Sequence, residues 1–135
     1  VAANVWSCPS FNELARDGQA AERHNLLHPT GEQQVPFVTQ QLEPHVGPVV
    51  ASTDYMKNYA EQIRPFMPKG RTYKVLGTDG FGRSDFRSNF EVNRHYIVLA
   101  ALKALAEEGA VPMSKVADAI KKYGINTSKV NPLYA

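Results

Sequence analysis

The chain has 135 residues and 14.9 kDa, a single domain by length, large enough to bury a core without disulfides or a structural metal. Its hydrophobic (43%) and charged (21%) fractions are those of a globular protein, which excludes wholesale disorder, and no run of 18 apolar residues exists to cross a bilayer. Fifteen Lys and Arg against thirteen Asp and Glu leave +2, too little to argue for nucleic acid.

The charge is unevenly placed. Residues 1–68 hold four basic and seven acidic side chains, while residues 69–135 hold eleven and six, a mild polarity that suits a partner or an anion. Cys8 is the only cysteine, so no internal disulfide exists. With no basic-then-apolar leader at the start, the expectation is a reducing, cytoplasmic setting with neither nucleic acid nor membrane as partner.

Val1, Ala3 and Val5 alternate with Ala2, Asn4 and Trp6 before Pro9, the pattern of a strand. A chain opening inside a strand suggests a fragment of a longer protein. Ser10 should cap a short helix through Ala15, with Glu13 completing a capping box and Gly18 ending it. A second helix is expected over residues 20–27, stopping before Pro29. Residues 29–48 are rich in Pro and Gly and read as irregular, with one short helical stretch over 36–42.

Val49-Val50-Ala51 is a short apolar strand without alternation, as in a sheet covered on both faces. Ser52 or Thr53 should cap a helix with Tyr55, Tyr59 and Ile63 on one face, ended by Pro65 and Pro68. Residues 72–76 form the next strand. Strand, helix and strand in so short a span make a βαβ unit, which requires parallel strands. Asn93 should cap the longest helix, running to Glu108 before Gly109, apolar all round from Tyr96 to Leu102. The last helix, residues 114–123, carries Val116, Ala117, Ile120 and Tyr123 on one face. Gly124 supplies its left-handed stop, with Ile125 folding back.

The segment richest in chemistry follows the second strand: Gly77-Thr78-Asp79-Gly80-Phe81-Gly82-Arg83-Ser84-Asp85. Open α/β sheets bind ligands at such carboxyl ends, the glycines bare backbone amides, and Arg83 offers a fixed cation. The spacing is neither a dinucleotide fingerprint nor a P-loop. The candidate set is therefore Gly77, Asp79, Gly80, Gly82, Arg83 and Ser84, read first as a shaped loop at a domain or subunit contact. The alternative is an anion-binding regulatory module on the same loop. A third reading is a metal-dependent enzyme using His24 and His28, four apart on a helix, but no motif brings a third ligand from His45, His95 or Cys8. Cys8 is expected to be a partly buried, inert thiol. Asp54 and Asp85 are candidate acid–base groups, more simply dipole partners at helix starts. Tyr55, Tyr59, Tyr96 and Tyr123 are expected in helix packing.

At these segments the sequence resembles the C-terminal domain of homodimeric-type bacterial pyruvate dehydrogenase E1 components. The matching stretches are Ala15-Arg16-Asp17-Gly18, Glu22-Arg23-His24-Asn25-Leu26-Leu27-His28-Pro29 and Val50-Ala51-Ser52-Thr53-Asp54-Tyr55-Met56-Lys57. They continue through Val75-Leu76-Gly77, the whole glycine segment to Asp85, Phe90-Glu91-Val92, and Lys129-Val130-Asn131-Pro132.

The resemblance implies a parent that uses thiamine diphosphate and Mg²⁺ to decarboxylate pyruvate and pass the acetyl group to the lipoyl arm of the E2 acetyltransferase. It implies as partners the parent's own N-terminal and middle domains, a second E1 subunit and E2. The family holds the cofactor between the N-terminal and middle domains, so no catalytic, cofactor or metal residue carries over, and the fragment alone is expected to be inactive and to hold no cofactor. The implied fold is α/β, a three-layer, mostly parallel sheet flanked by helices, like the transketolase C-terminal domain. In it, residues 1–135 form one domain that lacks the family's first strand and helix. Arg87-Ser88-Asn89-Phe90 is several residues shorter than the family's link, and the expectation is a stretch omitted from the sequence rather than a true deletion.

Overall fold

The computed structural model describes residues 1–80 and 86–134. Its elements run α1 (Phe11–Leu27), α2 (Phe37–Leu42), β1 (Val49–Ser52), α3 (Lys57–Glu61), a 3-10 turn (Arg64–Phe66), β2 (Tyr73–Leu76), α4 (Phe86–Asn89), α5 (Arg94–Glu107), α6 (Met113–Lys122) and a closing 3-10 turn (Pro132–Tyr134).

β1 and β2 pair in parallel with Val49 opposite Tyr73 and Ser52 opposite Leu76, as the βαβ reading requires. One face of the sheet carries Val49, Ala51, Tyr73 and Val75, and it packs on Ala15, Val38, Leu42, Ile63 and Phe66 from α1, α2 and the turn after α3. On the opposite side α5 lies against both strands and α6 against α5. Helices, sheet and helices make three layers, so the expected α/β class holds.

Gly18 is where the sequence misleads most. Instead of two helices broken at Gly18, α1 is one helix of 17 residues, and it is longer than the 14-residue α5. Ser10 Oγ does accept from the Glu13 amide at 3.1 Å, the expected N-cap. Gly18, however, lies buried in mid-helix, where a Cβ would stand 2.5 Å from the Phe66 ring. It serves close helix packing rather than termination.

Residues 1–6 form no strand. Val1 and Val5 are more than nine-tenths exposed, and a strand pattern without a neighbour to pair with leaves its amides to water. α3 is also shorter than expected. Neither Ser52 nor Thr53 caps it, Thr53 Oγ1 instead accepting from the Tyr55 amide at 3.1 Å. Of the expected face only Ile63 is buried, whereas Tyr55 and Tyr59 are exposed and meet edge to face at 5.5 Å.

The C-terminal half follows expectation more closely. Asn93 Oδ1 accepts from the His95 and Tyr96 amides and starts α5. Gly124, at φ 61°, ends α6, and the Ile125 amide reaches back to the Ile120 carbonyl at 3.0 Å. On α6 the buried residues are Val116 and Ala119, with Ala117 exposed. α5, expected to be buried on several sides, buries only Ala104 fully, and Val98 is 38% exposed.

Candidate functional site

The first half of the glycine loop is built by cross-bonding between the two strand ends. Thr53 donates its amide to the Leu76 carbonyl, Thr78 donates its amide to the Tyr55 carbonyl at 2.9 Å, and Thr78 Oγ1 donates to the Asp54 carbonyl at 2.6 Å. The loop after β2 is thereby tied to the segment after β1. A Cβ on buried Gly77 would lie 2.7 Å from the Lys57 backbone nitrogen, which cannot move aside as a flexible side chain could. Gly80 has φ 127°, and a Cβ there would meet the Pro132 carbonyl oxygen at 2.6 Å. Both glycines are thus required by backbone approach.

Asp79 Oδ2 accepts from the Lys57 amide at 3.4 Å, so a carboxylate already stands at the start of α3. Asp54 pairs with Arg87, whose Nη2 donates at 2.8 Å and whose guanidinium is held above its ordinary pKa chiefly by that hydrogen bond. Asp54 is therefore an ion-pair partner rather than a poised acid. Gly82, Arg83, Ser84 and Asp85 lie outside the described residues.

Lys129 was invisible to spacing arguments. Its ammonium donates to the carbonyls of Ser88 at 2.9 Å and Asn89 at 2.6 Å, closing the end of α4, and stands 3.9 Å from Glu91. Positions forty residues apart meet only through the fold. Arg87 was missed for the same reason.

His24 and His28 do come together, with rings stacked 4.4 Å apart. One ring nitrogen of each is bonded to backbone. Since a carbonyl only accepts, His24 Nε2 donates to the Glu32 carbonyl at 3.2 Å, and His28 Nδ1 donates to the His24 carbonyl at 2.9 Å. With Asn25 bonded both ways to Gln34, they strap residues 28–35 back onto α1. His45 lies elsewhere, accepting from Asn4 and meeting Trp6 edge to face, and His95 stacks on Tyr123 at 4.6 Å. Among the described residues no group of three or more His, Cys, Asp or Glu converges, so these residues do not fit the Mg²⁺ of a thiamine site. Cys8 is exposed rather than partly buried as a residue, although desolvation still raises its thiol pKa and weakens it as a nucleophile.

Fold and loop together define a class: a helix-covered parallel α/β domain whose post-strand glycine turn is closed by packing. Residues 1–97 match the transketolase-like TK C-terminal domain, and the chain belongs to that family. It is 58% identical to the pyruvate dehydrogenase E1 component of Haemophilus influenzae over 100% of this chain and 56% identical to that of Cupriavidus necator over 98%. The Escherichia coli K12 protein of the same name is 52% identical over 100% of the chain. In each case the chain spans about 15% of the relative's length. The alignments with the Haemophilus and Escherichia proteins are longer than the chain itself, so these relatives carry a few residues that it lacks. Among the described residues, no helix is long and apolar enough to cross a membrane.

Proposed function

We propose that this chain is the C-terminal domain of a pyruvate dehydrogenase E1 component. Its parent would use thiamine diphosphate and Mg²⁺ to decarboxylate pyruvate and acetylate the lipoyl group of E2 reductively. The domain's part is architectural: it shapes contacts with the parent's other domains and a second subunit, and contributes no reacting group. The observation that carries this reading is the Gly77–Gly80 turn, where glycine is demanded by backbone packing and Asp79 already occupies the start of α3. The exposed Tyr55, Met56 and Tyr59 beside that turn form an apolar surface suited to such a contact.

The anion-binding reading of the same loop gains nothing from Asp79, a carboxylate where an incoming anion would need a donor. Two measurements test the architectural reading. The isolated 135 residues, given thiamine diphosphate, Mg²⁺ and pyruvate, are expected to show no decarboxylation, and measurable turnover would defeat it. In the intact parent, Tyr55→Asp together with Tyr59→Asp is expected to weaken dimerisation at least tenfold in sedimentation, with this domain still folded. An unchanged dimer would remove that surface from the proposal.

A further inference from the structure

The chain between α4 and α5 is held in a conformation that its sequence does not favour. Among the described residues Glu91 is the one non-glycine residue with positive φ, 62°, the left-handed region that a helix end ordinarily gives to glycine. It closes α4 as a glycine would. The Glu91 amide donates to the Ser88 carbonyl at 3.4 Å and the Val92 amide to the Arg87 carbonyl at 3.0 Å. A Cβ in this region crowds the following carbonyl, and such strain persists only where the surroundings over-determine it.

Those surroundings come from beyond α6. Lys129, forty residues past Asn89, donates to the carbonyls of Ser88 and Asn89 and stands 3.9 Å from the Glu91 carboxylate. A cation that bonds the last carbonyls and pairs with Glu91 lets the helix stop form without a glycine. Three residues on, the Pro132 carbonyl oxygen closes over Gly80, 2.6 Å from where a Cβ would stand. Residues 129–132 therefore meet the turn before the glycine segment's undescribed residues and the helix after them. From both places bonds run on to the surface around Tyr55. Arg87 pairs with Asp54, Ser52 Oγ donates to the Val92 carbonyl at 3.2 Å, and Asp79 accepts from the Lys57 amide.

We propose that residues 129–132 are a clasp that sets the shape of the exposed Tyr55, Met56 and Tyr59 surface, with Lys129 as its positioning residue, a role that rests on the reading of that surface as a subunit contact.

The test uses the intact parent protein. Lys129→Met keeps the stem and removes the ammonium. Hydrogen exchange at the Val92 and Thr78 amides is expected to quicken at least tenfold, with the α1 amides unchanged, and the dimer to weaken at least threefold in sedimentation. Lys129→Arg should restore both. Glu91→Gly supplies a stop that needs no cation, so on that background Lys129→Met should lose most of its effect. Equal effects on both backgrounds, a Thr78 amide that stays protected, or α1 amides that quicken equally would overturn the clasp. So would an unchanged dimer in Lys129→Met. Should Tyr55→Asp with Tyr59→Asp leave the dimer intact, the contact reading itself fails and takes the positioning role with it, whereas a failure confined to Lys129→Met overturns the clasp alone.

Discussion

The two faces of the sheet are covered by helices of opposite character. On one, α1, α2 and the 3-10 turn close a cluster of buried side chains around Phe66 and Tyr73, although α1 is mostly polar along its length. On the other, α5 is apolar nearly all round and yet buries only Ala104 completely. Burial therefore follows from what packs against a helix, not from how apolar its sequence is. A helix with apolar residues to spare leaves some of them, such as Val98, exposed.

The sharpest way to break the comparison is Phe66→Ala. Emptying a packed aromatic site should cost about 3–5 kcal/mol in urea unfolding. Val98→Ser, on the facing layer, should cost under about 1 kcal/mol, since a residue 38% exposed loses little packing. Similar values for the two would show the layers to be equivalent.

Gly18→Ala sharpens the same contrast with a smaller effect. Alanine gains helix propensity but drives a methyl into the Phe66 ring, and overpacking of about 1–3 kcal/mol should outweigh a gain of about 1 kcal/mol. In a Phe66→Leu background the penalty should shrink, and a double-mutant cycle showing strict additivity would refute direct contact.

Tyr73→Phe should have the smallest effect of the core changes, about 1 kcal/mol from loss of the hydroxyl's bond to the Ala60 carbonyl. Its pH dependence is distinctive. Burial, above all, pushes the Tyr73 pKa up, so the folded state holds a proton that the unfolded chain releases near pH 10. That stability is fully present below pH 10 and declines as pH rises above it. Denaturation profiles from pH 8 to 11 should therefore be flatter for Tyr73→Phe than for the parent sequence.

Much of the local structure was legible because its causes are local. Asn93 starts α5, Gly124 stops α6 and Pro36 precedes α2, each through side chains or φ angles within a few residues. The parallel pairing of β1 and β2 followed from the short span between them. In the candidate site, glycines 77 and 80 stand out in the sequence, but the backbone approach that leaves no room for a side chain there is not visible in it. Lys57 and Pro132, which leave no room for a Cβ, come from distant parts of the chain.

By itself the sequence determined the α/β class, the start of α5, the end of α6 and the family, all written in short-range patterns of residue type. Only the tertiary structure decided that Gly18 packs a helix instead of ending one, and that residues 1–6 stay unpaired. Only it set Lys129 against the end of α4 and left the shielded Asn89 side-chain nitrogen without a partner among the described residues. The physical reason is common to all four: a strand needs a neighbour, a glycine needs something close, and a polar atom needs a partner. In each case the chain brings that partner from far along its length, or leaves it out.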